Sequence, residues 1–283
     1  MRDLYNLTDL YTYPEDENQF DVCIIKSKFL EYMKKTRLYR CFRALAKDCA
    51  EFDFEIAVAG GVFSTFVNNT KINDIDVYTT INNVIILNKI LKILYNRLIM
   101  EQYEVELYLQ KNAINYVIKE NDEVVTTIQF VTTGYANFEL LVNTFDINLV
   151  RVVHNFNNNV TYMTKSAYDG FLNKKINIDY FQPSTKYRIT KFIERGFSYH
   201  EKIDLPVYPT KNIKILTTRS LVDIDYIYDS LAKGQLYYKK EFDSIDLYVN
   251  VNVDFRYGYG DSRVIKLTNL ILDIPLDDDT IDL

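Results

Sequence analysis

The chain has 283 residues, 48% hydrophobic and 25% charged, which suits one large globular domain or two modest ones with a proper core. Its 33 basic and 39 acidic residues leave a net charge of −6, so no chain-wide basic footprint for nucleic acid exists and any polyanion needs a local patch. Cys23, Cys41 and Cys49 lack metal-ligand spacing, and the only histidines are His154 and His200; a structural zinc site is excluded, Cys-His catalysis is set aside unless His154 folds beside a cysteine, and buried free thiols in a reducing compartment are expected.

Residues 1–23 read as an N-terminal arm with neither an apolar signal core nor an Arg-rich presequence. The longest apolar run, inside VIILNKILKILYNRLIM, is broken by Asn88, Lys89 and Lys92, so no membrane association is expected. A soluble protein of the cytoplasm follows. Heavy use of Asn, Ile, Lys and Tyr without Trp suggests an AT-rich genome, and for a phage or virus the compartment becomes the host cytoplasm or the virion.

Residues 24–52 place Phe29, Met33, Leu38, Cys41, Phe42, Leu45 and Cys49 at helical intervals, predicting one long or bent helix. FEIAVAGG reads as a short buried strand ending at Gly60 and Gly61, and VFSTFVNN as a two-turn helix closed by paired asparagines. DIDVYTT alternates charged and apolar residues with period two, so Asp74 and Asp76 leave one strand on the same face. An amphipathic helix over 81–99 precedes strands YEVELYL, AINYVIKE and EVVTTIQFVTT, the last two joined at NDE. ANFELLVNTF reads as a helix, DINLVRVVHN as a strand opened by Asp146, and VTYMT as its hairpin partner through FNNN. Residues 165–199 form a helical segment, and 200–283 a small C-terminal region with an acidic tail. The fold class is α/β, or α+β: a mixed sheet flanked by helices, with the sheet domain spanning 24–164.

Two carboxylates at i and i+2 repel unless a cation lies between them, and Mg²⁺ takes oxygen ligands and keeps room for substrate phosphates. Gly60 and Gly61, lacking Cβ atoms, let phosphates approach the backbone; the helix start near Val62 offers N–H groups, and Ser64 and Thr65 add hydroxyl donors. Asp146 is the candidate third acid of a two-metal site. Lys186, Arg188, Lys191 and Arg195 line one predicted helix as triphosphate or RNA contacts, against the plainer reading of a solvated face. His154 reads as a structural histidine, Asp223 and Asp225 as surface, and FRYGYGDSR at 255–263 as a loop tip.

The run GGVFSTFVNNTKINDIDVYT resembles the signature of the DNA polymerase β-like nucleotidyltransferase superfamily: a Gly-Gly turn, a short helix, then an Asp-x-Asp strand. The Gly61 to Asp74 separation, 74 − 61 = 13, is similar to that of the branch holding CCA-adding enzymes and bacterial poly(A) polymerases. Phe63, Ser64 and Thr65 depart from the Arg-Asp common there. IQFVTTGYANFELLVNTFDINLVRVVHN resembles the later part of that domain, and STKYRITKFIERGF a basic helix of viral and phage relatives. The resemblance implies a nucleotidyltransferase fold and transfer of a nucleoside monophosphate from an NTP such as ATP to an acceptor hydroxyl. RNA is the foremost acceptor, with a protein or small molecule as alternatives. It also implies Mg²⁺ or Mn²⁺ on Asp74, Asp76 and Asp146, and nucleotide contacts from Gly60, Gly61, Ser64, Thr65, Lys186, Arg188 and Lys191. The rival is a catalytically silent member of the fold serving as a binding or structural module.

Overall fold

The computed structural model describes residues 10–11, 22–81, 84–110, 113–132, 134–182, 184–200 and 265–267. Most of the expected N-terminal arm and C-terminal region, including the acidic tail, the Asp223/Asp225 pair and the 255–263 stretch, lies outside the described residues.

After β1 (Leu10–Tyr11) come α1 (Val22–Lys35) and α2 (Leu38–Ala50), where the sequence predicts one long or bent helix. The break is at Arg37, whose left-handed φ of 57° ends the first helix; its guanidinium lies 4.7 Å from the Tyr103 ring centre and bonds Glu120 at 2.9 Å. In α2, Leu38, Cys41, Phe42, Leu45, Ala46 and Cys49 recur at three- and four-residue steps and are all buried, so one stripe faces the core. Burial pushes the Cys41 thiol up to about 11 and the Cys49 thiol up to about 12, and both are free, as expected, and inert.

Next follow β2 (Ile56–Ala59), α3 (Val62–Thr65), β3 (Asp74–Thr79), α4 (Val84–Met100), β4 (Glu104–Gln110), β5 (Ala113–Glu120) and β6 (Glu123–Val131). The predicted two-turn helix is therefore a single turn. Asn121 and Asp122, with φ of 53° and 63°, make the tight turn between β5 and β6. Then come α5 (Phe138–Asn143), a 3-10 turn at Asn148–Val150, β7 (Val152–Asn155), β8 (Val160–Thr164), α6 (Lys165–Leu172), β9 (Lys175–Ile176), α7 (Thr185–Glu194), β10 (Ser198–Tyr199) and β11 (Ile265–Leu267).

The architecture is α/β, with a mixed sheet flanked by helices. Its nine described strands run in the order β1-β8-β7-β2-β3-β6-β5-β4-β11, antiparallel throughout except for the parallel β3–β6 pair. One face carries Val58, Ile75, Val77, Ile128 and Phe130 into the main core, shared with the apolar sides of α1, α2 and α4. The other carries Ala57, Ala59, Tyr78 and Val153 under α5. Two-residue alternation along β3 thus sends Ile75 and Val77 to the larger core and leaves Asp74 and Asp76 on the opposite face.

His154 is a structural residue of the main core, as the sequence suggests: it is fully buried, Nδ1 is 2.8 Å from Thr161 Oγ1, and its ring meets Phe156 edge-on at 4.7 Å. Burial, with Lys26 and Arg43 adding to it, lowers its pKa to about 3, and Nε2 has no protein partner. Between about pH 6.5 and 3 the unfolded chain therefore holds a proton that the folded chain refuses, so stability falls as pH drops through that window and is unaffected above it. His154→Gln is expected to flatten this acid loss, whose one-proton limit is about 1.4 kcal/mol per pH unit. Urea melts at pH 7, 5.5 and 4 measure it, and parallel profiles for the two proteins would remove His154 as the cause.

Candidate active site

The site begins where β2 hands over to α3. β2 and β3 pair antiparallel with Ala59 opposite Asp76, so the turn after Ala59 lies beside the acid strand. Gly60 has φ of 92°, a conformation that strains any residue with a Cβ, and a Cβ placed there stands 3.2 Å from Asp76 Oδ2. Gly61 is different: it sits in ordinary right-handed backbone as the residue before α3. Since α3 spans only Val62–Thr65, its terminus is a small source of dipole.

Asp74 and Asp76 share a face with Tyr78, and the parallel register with β6 puts Thr127 beside Asp74 and Gln129 beside Asp76. Burial, then the charge of Asp74, pushes the Asp76 carboxyl up to about 7, while the Lys191 ammonium pulls it back. Burial likewise holds the Tyr78 phenol neutral, well above its ordinary range, with the Asp76 charge adding to it. Tyr135 and Phe145 each meet Tyr78 at 6.0 Å between ring centres, forming an aromatic floor next to the acids.

α7 and its capping residue Arg195 reach this face with three basic residues spaced three, four and seven apart, one side of a helix. Arg188 Nη2 bonds Asp146 Oδ2 at 2.7 Å, Lys191 Nζ stands 3.8 Å from Asp74 Oδ1, and Arg195 Nη1 donates to the Gly61 carbonyl at 2.9 Å and Ser64 Oγ at 2.7 Å. Asn68, one of the paired asparagines after α3, donates to the Arg195 carbonyl and closes the link. Lys186 and Tyr187 are exposed and lie off that line. The hydroxyls of Ser64 and Thr65 are buried and donate to the Gly61 and Val62 carbonyls, at 2.7 and 2.6 Å. They point into their own turn, and Ser64 Oγ also accepts from the Arg195 guanidinium.

Asp146 does not open a strand beside β3. Residues 146–148 pair instead with 177–179: Asp179 N bonds the Asp146 carbonyl at 3.1 Å, Ile147 bridges Ile178, and Asn148 N bonds the Asn177 carbonyl at 3.0 Å. Arg151 fixes this segment by donating to the Phe145 carbonyl at 3.0 and 2.6 Å and pairing with Asp179. β7 starts only at Val152 and pairs with β2, which separates it from β3. The Asp146 side chain is fully buried, bonded through Oδ2 to Arg188 and Thr185, with Oδ1 unpartnered. Both of its bonds go to α7, which it anchors, and among the described residues it does not form a three-carboxylate group with Asp74 and Asp76 that could hold a metal.

Two carboxylates on one face, one of them carrying an electrostatic cost from the other, are an oxygen donor set that fits Mg²⁺ or Mn²⁺. Among the described residues no group of three or more His, Cys, Asp or Glu is placed to hold a metal, so the fit belongs to the pair. No helix of the described residues is long and apolar enough to cross a membrane.

Residues 24–174, more than half of the chain, match the family described as Gabija anti-defense 2 family protein. The curated proteins hold no match. Solved structures with some likeness include a Thermotoga maritima CCA-adding enzyme complexed with tRNA, at 16% identity and a TM-score of 0.43 over 58% of this chain and 39% of that one. Others are a CCA-adding enzyme with ATP, at 14% and 0.44 over 60% and 42%, and the Bacillus stearothermophilus CCA-adding enzyme with CTP, at 9% and 0.34 over 56% and 40%. This chain spans about two fifths of the length of those enzymes.

Proposed function

The chain belongs to the Gabija anti-defense 2 family, and we propose that within it this protein is a metal-dependent nucleotidyltransferase that counters Gabija defence from the host cytoplasm. It moves a nucleoside monophosphate from an NTP to a hydroxyl of a macromolecular acceptor, RNA foremost. The observation that carries this reading is the contact between turn and acids: the Cβ that Gly60 lacks would stand 3.2 Å from Asp76 Oδ2, so the glycine turn packs directly against the carboxylate pair.

Asp74 and Asp76 would hold the divalent cation, which when bound supplies the positive charge that a triphosphate needs beside two carboxylates. The Gly60–Gly61 turn would border the polyphosphate, with Lys191 as the cationic donor from α7 and Arg195 bracing the turn through the Gly61 carbonyl and Ser64. Arg188, held by Asp146, fixes the distance of α7 from the sheet. Tyr78, Tyr135 and Phe145 keep one wall of the site apolar. In the reaction the acceptor oxygen bonds the α-phosphorus, and the bond to the bridging oxygen breaks. Pyrophosphate leaves with the electron pair, and the acceptor proton passes to a carboxylate of the pair.

The test is incubation with each α-labelled NTP, Mg²⁺ or Mn²⁺, and either pooled RNA or host protein extract. Label transferred to one pool, with matching pyrophosphate release and none from the Asp74→Asn/Asp76→Asn protein, is the expected result. Absence of transfer with every nucleotide and both pools would leave the family role to binding alone.

A further inference from the structure

Of the three cations that α7 presents to the site, two are tied down by hydrogen bonds. Arg188 bonds Asp146 at 2.7 Å, Ser184 at 3.1 Å and Gln182 at 3.2 Å; Arg195 bonds Gly61 and Ser64 at 2.9 and 2.7 Å. Lys191 is held differently. Its ammonium is 3.8 Å from Asp74 Oδ1, beyond hydrogen-bond range, and its side chain keeps 32% exposure beside an Asp74 side chain at 34%. An ammonium is a compact point charge on a flexible stem, with three donors free to reorient. Its charge also acts on Asp76, so it serves both carboxylates while bonding neither.

We infer that Lys191 is the built-in counter-ion of the Asp74/Asp76 pair, standing where a divalent cation's charge is needed and transferring to the polyphosphate when a metal-bound triphosphate enters. This rests on the nucleotidyltransferase reading and adds a regulatory consequence to it. A bare metal ion must compete with Lys191 for the acids, whereas a metal that arrives with phosphates gives Lys191 a new anion. The site therefore favours the metal–triphosphate complex over free metal, and the acids are not left as an unscreened pair when no nucleotide is present. Neither arginine can do this without breaking hydrogen bonds to Asp146 or to the Gly61 turn.

The consequence is a pair of opposite effects that a purely structural lysine would not produce. Lys191→Gln is expected to bind free Mn²⁺ about fivefold more tightly than wild type, because one competing charge is removed, and to bind tripolyphosphate about tenfold more weakly once Mn²⁺ is present. Lys191→Arg, which keeps the charge, is expected within about twofold of wild type on both. Mn²⁺ titration followed by electron paramagnetic resonance and tripolyphosphate calorimetry read the two affinities without any turnover. Unchanged or weakened Mn²⁺ binding in Lys191→Gln, or a Lys191→Arg protein that behaves like Lys191→Gln, overturns the counter-ion role while leaving the acid site intact. Wild type that binds no Mn²⁺, or binds it as well after Asp74→Asn, removes the acid site itself and the exchange with it.

Discussion

Asp76→Asn is expected to abolish nucleotidyl transfer, by about a thousandfold or more, while making the metal-free protein more stable. Both effects come from one carboxylate. Asp76 is half-buried and lies two residues from Asp74 on the same face of β3, and burial and that neighbour together push its carboxyl up to about 7. At pH 8 the folded protein therefore holds a charge that it would rather not, and an isosteric amide removes the repulsion for a gain of about 1 to 3 kcal/mol. On the proposed reading a cation relieves this repulsion, so the variant should also lose the rise in melting temperature expected of wild type with Mn²⁺. Thermal melts with and without Mn²⁺, beside a pyrophosphate-release assay, read all three quantities. A variant that is destabilised without metal and still stabilised by Mn²⁺ would mean that Asp76 is held by partners other than a cation, and the site would have to move elsewhere.

What could be read from the sequence depended on how local the deciding contacts are. The run from β2 through Gly60 to β3 was legible because each step is set within a few residues: four successive buried positions, a glycine at positive φ, then two-residue alternation. The β4–β5–β6 meander was legible for the same reason, its β5–β6 connection being Asn121-Asp122 at positive φ. The place of Asp146 was not. DINLVRVVHN has the apolar content of a strand, but the ribbon with 177–179 and the Arg151–Asp179 pair are contacts across about thirty residues, and they win over local preference. Ser64 and Thr65 are placed as expected in sequence, yet short hydroxyl side chains in a helical turn bond its own carbonyls, a choice that residue type alone leaves open. Arg195 carried a usable signal: it lies on the helical line of Arg188 and Lys191, whereas Lys186 does not. Gln129 carried none, since only the parallel register of β6 against β3 sets it beside Asp76.

Asp146 is where the anchor reading and the metal-ligand reading part most sharply, and a small set of variants decides between them. Its carboxylate is fully buried and its ion pair with Arg188 joins the segment after α5 to α7, while the Arg188 side chain keeps 29% exposure. Asp146→Ala strands the guanidinium and the Thr185 hydroxyl, an expected loss of about 2 to 4 kcal/mol; solvent reaching Arg188 keeps it below the cost of a wholly buried pair. Asp146→Asn retains an acceptor for Thr185 and should lose less. Because a buried pair costs much of its attraction in desolvation, Asp146→Leu/Arg188→Met should recover most of the stability lost in Asp146→Ala, with a coupling of about 1 to 3 kcal/mol between the sites. Mn²⁺ affinity measured on the folded fraction should stay within about threefold of wild type in Asp146→Asn, because the acids proposed to hold the cation are Asp74 and Asp76. Transfer should weaken chiefly through KM, as α7 and its Lys191 and Arg195 lose their fixed distance from the Gly60 turn. If Asp146→Asn is as stable as wild type and loses Mn²⁺ to the extent that Asp74→Asn does, Asp146 is a ligand that reaches the pair when metal is bound, and α7 must be held by something other than its bond to Arg188.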